Sequence, residues 1–342
     1  LGLQRVSARS EHLRARRGPP VLLQHGLFTG GDSWFLNSEE QSLGFLLADS
    51  GFDVWVGNVR GTRYSQRHVS LSVSDKEFWN WSWEELALND LAAMIDYVHA
   101  ETGSKVFVVG HSQGTIMSLA VFTQLEIVQM VAAAALLCPI SYLEHVTAPL
   151  VLRMVAMHLD QMVMAMGIHQ LNFRSEIAVE LMDFVCDGHL ECSNLLGGLT
   201  GKNCCFNDSR VDFYLEYEPH PSSSKNMNHL FQMIRKGTFA KYDYGRFKNL
   251  KLYGQSNPPA FDLNRIPDSL PLWTGYGGSD GLADLQDVKR TLRELPMEPE
   301  RLFIQDYGHL DFVLSTRAKE EVFDKMIAFF RSCGSSSSVA SI

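Results

Sequence analysis

The chain has 342 residues, of which 45% are hydrophobic and 20% are charged, and this composition is typical of a folded globular protein rather than a disordered one. The formal net charge of -9 argues against a general nucleic-acid-binding protein, because phosphate recognition needs a concentrated basic surface. No apolar run approaches the ~20 residues that a membrane-spanning helix needs, so we expect no transmembrane segment.

The first residues already have the pattern of a strand. The chain starts at Leu1 without a methionine, and residues 1–6 alternate in the manner of β structure. We interpret this start as a missing amino end, with any signal peptide lost ahead of it. The lack of such a segment therefore does not indicate a cytosolic protein.

Short apolar runs alternate with stretches of helical periodicity, which predicts an α/β fold with a mostly parallel sheet flanked by helices. The predicted strands are 21–24, 53–58, 105–110, 131–138, 270–276 and 301–306. The predicted helices are 84–100, 115–125, 287–295 and 318–331.

The alternation stops between the fourth and fifth predicted strands, and we interpret the intervening block as an inserted, mainly helical cap or lid. The predicted organisation is a first part of the core at 1–140, the cap at 141–267, a second part of the core at 268–333 and a disordered, serine-rich tail at 334–342.

The start of the predicted cap is rich in methionine, a side chain that adapts its shape to varied apolar partners. Residues 150–168 contain Met154, Met157, Met162, Met164 and Met166. Two interpretations stay open: a mobile lid that lines an acyl-chain tunnel or meets a lipid surface, or a buried cap helix.

Six cysteines are present, and four of them crowd into one loop-rich stretch. The six are Cys138, Cys186, Cys192, Cys204, Cys205 and Cys333. The spacings within 186–205 fit zinc ligation poorly and favour disulfide formation in an oxidising compartment, with the pairing left open. Cys138 and Cys333 are predicted to be free thiols. Asn207 begins a glycosylation sequon, and Asn80 begins another that its tryptophan neighbours could bury.

The most specific pattern is VFVVGHSQG at 106–114, a buried strand that ends in Gly-His-Ser-Gln-Gly. A sharp strand-to-helix turn of this kind lifts a reactive serine above the sheet and points the amino end of the next helix toward it. Gly110 and Gly114 leave room for the close packing that the turn needs. Ser112 is therefore the candidate nucleophile.

A serine nucleophile needs a base, and the base needs an orienting carboxylate, in the chain order Ser, Asp or Glu, His. Asp280 follows a predicted strand on a glycine-rich turn and is the candidate acid. Asp284 is better explained as the cap of the following helix. His309 lies on the loop after the last predicted strand and is the candidate base.

A tetrahedral oxyanion needs two N–H donors, one from the residue after the nucleophile and one from a loop beyond another strand. Gln113 is the first candidate donor, and Leu27, after the turn at Gly26, is the second. His25 and His111 flank this region but precede the chain order that a base requires.

Taken together, these motifs resemble the acid lipase family, which includes gastric and lysosomal lipases and the plant triacylglycerol lipases nearest to this chain. The segments that show the resemblance are LLQHGLF (22–28), VWVGNVRGTRYS (54–65), FWNWSWEELALNDLAAMIDYV (78–98), GHSQGT (110–115), GGSDGLAD (277–284) and GHLDF (308–312). The resemblance implies an α/β-hydrolase core with a lid-bearing cap, a triad of Ser112, Asp280 and His309, and oxyanion donors Leu27 and Gln113. It also implies no metal or cofactor, neutral-lipid ester substrates, and a glycosylated protein that is secreted or lysosomal/vacuolar.

We therefore predict a serine ester hydrolase that forms an acyl-enzyme, with triacylglycerol as its most direct substrate at a lipid–water interface. A sterol-ester or wax-ester hydrolase with the same machinery is the nearest alternative. A non-catalytic, ligand-binding α/β-hydrolase relative is the alternative from another class. The sequence does not indicate an oligomeric state.

Overall fold

The computed structural model describes residues 1–8, 10–11, 18–173 and 195–336. Its strands are β1 (Gly2–Val6), β2 (Pro20–Gln24), β3 (Asp53–Asn58), β4 (Val106–His111), β5 (Val131–Leu137), β6 (Gln170–Leu171), β7 (Ser222–Ser223), β8 (Leu272–Gly277) and β9 (Glu300–Ile304). Its first α-helices are α1 (Leu43–Asp49), α2 (Trp83–Glu85), α3 (Ala92–Thr102), α4 (Gln113–Phe122) and α5 (Leu125–Val128). They are followed by α6 (Pro149–Ala156), α7 (Leu159–Ala165), α8 (Leu195–Thr200), α9 (Val211–Tyr217), α10 (Ser224–Lys236), α11 (Arg246–Tyr253), α12 (Leu285–Glu294), α13 (Asp311–Leu314) and α14 (Asp324–Ser336).

Seven strands form one twisted sheet in the order β1-β3-β2-β4-β5-β8-β9. β1 is antiparallel to β3, and the other neighbours run parallel. In the register of the sheet centre, Leu23 lies between Val56 and Val109. Every residue of β2, β3 and β4 is buried because helices cover both faces, as the continuous apolar runs predict. The predicted fold class is confirmed.

The helix predicted at 84–100 is interrupted by a π-helical turn at Leu86–Leu91 before it continues as α3. Its start carries a capping box in which the Ser82 N–H donates to Glu85 Oε2 at 2.7 Å. A second π-helical turn, Lys319–Phe323, precedes α14. A π-helical turn is a single turn with i→i+5 hydrogen bonds inside an α-helix. Apolar residues stay buried through each of these two turns, so the spacing of apolar residues in the sequence does not reveal them.

The described residues between β5 and β8 form six α-helices, α6 to α11, and a separate two-stranded sheet of β6 and β7. None of these described residues joins the seven-stranded sheet. We refer to this region as the cap, and its status as a separate insertion with boundaries 141 and 267 stays a prediction. α6 and α7 each bury one side. Met154 is buried, Met166 is 61% exposed, and the other three methionines of this segment lie in between.

Two smaller expectations differ from the structure. Asn80 is exposed although its neighbour Trp81 is buried, so the sequon there is not packed away. The last helix continues to Ser336 and so overlaps the start of the segment 334–342, where a disordered tail was predicted. The rest of the tail lies outside the described residues. Among the described helices, none combines the length and the apolar character that crossing a bilayer requires.

Candidate active site

Ser112 lies on the sharp turn between β4 and α4, with φ of 55° and ψ of -121°. A non-glycine residue in this left-handed region is strained, and such strain is held only where the surrounding structure enforces it. Here the enforcement is close packing: a Cβ on Gly114 would lie 2.4 Å from the Gln24 carbonyl oxygen, and one on Gly110 would lie 2.9 Å from the Gly114 carbonyl carbon. The two glycines therefore permit a turn that no larger residue allows.

His309 and Asp280 reach Ser112 from the loops beyond β9 and β8. The distance from His309 Nε2 to Ser112 Oγ is 2.7 Å. His309 Nδ1 lies 2.8 Å from Asp280 Oδ2 and 3.0 Å from Oδ1. All three residues are buried. With the proton on Nδ1 donated to the carboxylate, Nε2 is free to accept the Ser112 hydroxyl proton.

Asp280 is held ionised by its surroundings. Burial alone would raise the pKa of this carboxyl, but the charge and hydrogen bond of His309, together with the N–H groups of Leu282 and Ala283, lower it below its usual value. Both N–H groups donate to Oδ1 at 2.8 Å. Asp284 instead accepts the Gln286 N–H at 2.7 Å and caps α12, so the interpretation of Asp284 as a helix cap is confirmed.

The backbone of His309 is also fixed, by two side chains that the sequence analysis did not assign to the site. Its carbonyl oxygen lies 2.9 Å from His111 Nε2 and 3.3 Å from Cys138 Sγ. Burial lowers the pKa of His111 to about 3, so the imidazole is neutral and donates its single N–H to this carbonyl. Burial also keeps Cys138 a protonated thiol by raising its pKa well above the usual range.

A short segment of the cap region, residues 200–205, binds the loops of both Asp280 and His309. The Gly281 N–H donates to the Thr200 carbonyl at 3.1 Å, and the Leu310 N–H donates to Asn203 Oδ1 at 3.0 Å. The buried Asp311 carboxylate accepts the N–H groups of Gly308, Cys204 and Cys205 at 2.7 to 3.2 Å. The cap thus helps to set the geometry of the triad candidates.

The cysteine predictions are partly tested. Cys204 and Cys205 form a disulfide with each other, and Cys138 and Cys333 are free thiols, as predicted. Cys186 and Cys192 lie outside the described residues.

The two predicted oxyanion donors flank the nucleophile. Gln113 is the first residue of α4, and its side chain accepts a hydrogen bond from Asn226 of α10 at 2.8 Å. The loop before Leu27 passes directly over the serine, since a Cβ on Gly26 would lie 2.9 Å from Ser112 Cβ. In the parts of the chain that the structure describes, no hydrogen bond engages the backbone N–H of Leu27 or of Gln113.

Potential metal donors cluster at three places among the described residues: Cys138 with Asp280 and His309, Cys204 with Cys205 and Asp311, and Asp32 with Glu218 and His220. The first group belongs to the triad network, the second contains the disulfide, and in the third His220 Nε2 donates to Asp32 at 3.0 Å. Glu218 Oε1 of the third group accepts the Gly30 N–H at 3.0 Å.

Comparison with known proteins places this geometry in context. The family model described as the alpha/beta hydrolase fold matches residues 19–316. Triacylglycerol lipase 1 of Arabidopsis thaliana is 65% identical over 338 residues, covering 99% of this chain and 86% of that protein. Lysosomal acid lipase/cholesteryl ester hydrolase of Homo sapiens is 35% identical over 332 residues, covering 94% and 82%. The resemblance to acid lipases drawn from the motifs is confirmed.

A solved structure supports the same fold. The crystal structure of a soluble variant of monoglyceride lipase from Saccharomyces cerevisiae, in complex with a substrate analogue, superposes with a TM-score of 0.62. It is 16% identical in sequence, and the match covers 97% of this chain and 91% of that one. At that identity the likeness speaks for the fold alone.

Proposed function

Because this chain belongs to the α/β-hydrolase family, and within it to the acid lipases, we propose that it is a serine ester hydrolase that cleaves fatty-acyl esters of neutral lipids, with triacylglycerol as the principal substrate. The single observation that carries the chemistry is the continuous hydrogen-bonded line from Ser112 Oγ through His309 to Asp280. The same spatial arrangement, in which the base lies between the nucleophile and the orienting group, recurs in serine hydrolases of unrelated folds.

The proposed reaction has two balanced halves. Ser112 Oγ attacks the ester carbonyl while its proton passes to His309 Nε2, and collapse of the tetrahedral adduct expels the alcohol with that proton. Water then gives a proton to His309 and its oxygen to the acyl carbon, and the fatty acid leaves as Ser112 recovers its hydrogen. Asp280 holds the imidazole in the required tautomer and stabilises its charged form throughout.

Two backbone N–H groups are proposed to bind the oxyanion. Gln113 directly follows Ser112 at the amino end of α4, where the helix dipole favours negative charge, and Leu27 follows the Gly26 turn that passes over the serine. Each donor of this kind contributes roughly 3 kcal/mol to the transition state. Only the backbone of Leu27 is used, so its apolar side chain stays available to contact substrate.

The substrate class rests on the relatives. The 65%-identical Arabidopsis protein is named a triacylglycerol lipase, and the 35%-identical human protein is named both an acid lipase and a cholesteryl ester hydrolase. Sterol-ester hydrolysis is therefore the second candidate function. The name of the human lysosomal acid lipase supports a secreted or lysosomal/vacuolar location, and we extend the proposal to action at a lipid–water interface.

Ser112→Ala tests the proposal, with Ser118→Ala as the matched control. Ser118 is buried in α4, the helix that follows Ser112, and it is outside the proposed triad. Its hydroxyl donates to the Gly114 carbonyl at 2.8 Å. We expect a fluorophosphonate probe to label the wild type and Ser118→Ala but not Ser112→Ala, and we expect Ser112→Ala to lose more than about 10³-fold in kcat.

Hydrolysis of emulsified triolein and of cholesteryl oleate, each followed between about pH 4 and 8, separates the two substrate classes. A higher kcat/KM on the sterol ester would favour the second candidate. Failure of the probe to label full-length wild-type protein would indicate the non-catalytic alternative, and full triolein activity in Ser112→Ala would refute the proposed nucleophile.

A further inference from the structure

A second cluster of ionisable side chains lies on the far side of the loop that carries Leu27. Asp32 follows this loop, whereas Glu218 and His220 come from the cap region just after α9. His220 is 1% exposed, and its Nε2 lies 3.0 Å from Asp32 Oδ1 and 3.8 Å from Glu218 Oε2. The triad mechanism uses none of these three groups.

The cap residues of this cluster hold the loop by its backbone. The Gly30 N–H donates to Glu218 Oε1 at 3.0 Å, and the His220 N–H donates to the Phe28 carbonyl at 2.7 Å. Phe28 needs such support because its φ of 57° is in the left-handed region, which a bulky residue rarely adopts. A Cβ on Gly30 would lie 2.5 Å from His220 Nε2, so the loop and the cluster are in close contact and leave no room for a side chain at residue 30.

The other end of the same loop is fixed against the core. His25 Nδ1 donates to the Gly26 carbonyl at 2.9 Å, and His25 Nε2 accepts the Val59 N–H at 3.3 Å. The peptide between Gly26 and Leu27 thus lies between a core anchor on one side and the cap cluster on the other. The direction of the Leu27 N–H depends on both.

We propose that Glu218, together with Asp32 and His220, positions the Leu27 N–H of the oxyanion hole, and that this positioning requires a proton on the Glu218 carboxyl. The inference rests on the proposed serine hydrolase function and deepens it, because it couples the protonation of a cap residue to stabilisation of the transition state. Glu218 is a positioning residue and does not touch the reacting atoms.

The hydrogen bonds indicate where the protons are. The Arg63 N–H donates to His220 Nδ1 at 3.1 Å, so His220 carries its proton on Nε2 and donates it to Asp32. The Tyr64 hydroxyl also donates to Asp32 Oδ2, at 3.2 Å. Asp32 is therefore the ionised carboxylate of the cluster, because its oxygens accept hydrogen bonds from both His220 and Tyr64.

A carboxylate oxygen of Glu218 lies within 4.8 Å of one of Asp32, and because Asp32 already accepts two hydrogen bonds, the proton of this pair belongs to Glu218. Burial and the neighbouring Asp32 charge hold the pKa of Glu218 well above its usual range, although the Gly30 N–H and the Arg63 charge act in the opposite direction. Among the residues that the structure describes, the other ionisable groups that interact with the cluster are Tyr64 and His25. Loss of the Glu218 proton would put two carboxylates side by side in a buried site, and repulsion would push the cap residues away from the loop.

Glu218→Gln and Glu218→Ala test the inference, with Asp212→Asn on an exposed position of α9 as the control. Glutamine keeps an acceptor for the Gly30 N–H and mimics the protonated acid at every pH, whereas alanine removes the support. The measurement is kcat and KM on a soluble p-nitrophenyl butyrate substrate between about pH 4 and 9, with thermal unfolding of each variant as a check on folding.

We expect wild-type kcat to decline on the alkaline side and Glu218→Gln to match the wild type within about twofold at low pH but to lack that decline. Glu218→Ala should lose about 10²-fold in kcat with little change in KM, since a misplaced donor affects the transition state more than the ground state. Asp212→Asn should follow the wild type.

An alkaline decline that persists unchanged in Glu218→Gln, or a Glu218→Ala defect confined to KM, would overturn the inference. A wild type without Ser112-dependent esterase activity would instead contradict the proposed function itself, so the two failures are distinguishable.

Discussion

Asp280 and Asp284 are four residues apart and have different partners, which allows a matched comparison at single-residue scale. Asp280→Asn would place an amide where His309 Nδ1 now donates, favour the wrong tautomer and lower kcat by about 10³- to 10⁴-fold. Asp284→Asn keeps an acceptor for the Gln286 N–H and should leave kcat unchanged. Steady-state kinetics on a soluble ester measure both variants.

Thermal unfolding of the two aspartate variants is the control for folding. An Asp280→Asn enzyme that keeps more than about one tenth of wild-type kcat would show that orientation of His309 does not depend on this carboxylate.

The triad candidates could be predicted from sequence because each follows a strand, and parallel strands bring their carboxyl ends to one edge of the sheet. His111 and Cys138 also end strands of that edge, but their partner is the carbonyl of His309, a backbone atom that no side-chain pattern reveals. Asn203 could not be assigned because it comes from the cap, whose path over the core has no periodic signal in the sequence.

Secondary-structure elements follow the same logic. Strands β2 to β5 begin and end within one residue of their predicted limits, since continuous burial on both faces leaves an unbroken apolar run. The cap helices α6 to α11 were predicted only as a block. Several have just six to eight residues, too few for a helical period to stand out from chance.

One ion pair joins two of these cap helices. Arg235 of α10 donates to both carboxylate oxygens of Asp160 in α7, at 2.6 and 3.1 Å, and Asn228 donates to the same group at 2.6 Å. Asp160 is fully buried. Arg235→Gln would leave a buried carboxylate without its counter-charge and should lower the free energy of unfolding by about 3 to 5 kcal/mol.

The adjacent Lys236 is a control for the ion-pair prediction. It pairs with Asp243 while its own side chain is 48% exposed, so Lys236→Gln should cost less than about 1 kcal/mol. Urea denaturation measures both variants. Equal losses would contradict a larger contribution of the buried Asp160–Arg235 pair to stability.

At the scale of the whole molecule, three of the buried histidines that the structure describes have a lowered pKa. Burial lowers the pKa of His25 to about 4 and those of His111 and His229 to about 3. The unfolded chain binds a proton at each of these positions at a higher pH than the folded chain does. Stability is therefore present above the unfolded pKa of histidine, near 6.5, and is lost as pH falls toward the folded values.

Each of these three histidines should contribute a slope of about 1.4 kcal/mol per pH unit to the free energy of unfolding across that window. His229→Gln tests one contribution, because glutamine can still donate to the Ala240 carbonyl, 3.0 Å from His229 Nε2, but does not titrate. Urea denaturation at a series of pH values should show the slope reduced by about that amount. A His229→Gln slope equal to that of the wild type would mean that this imidazole accepts a proton as readily in the folded protein as in the unfolded chain. Protonation of carboxyls such as Glu218, whose folded pKa is raised, acts in the opposite direction over the same pH range, because the folded chain binds that proton more tightly than the unfolded chain does.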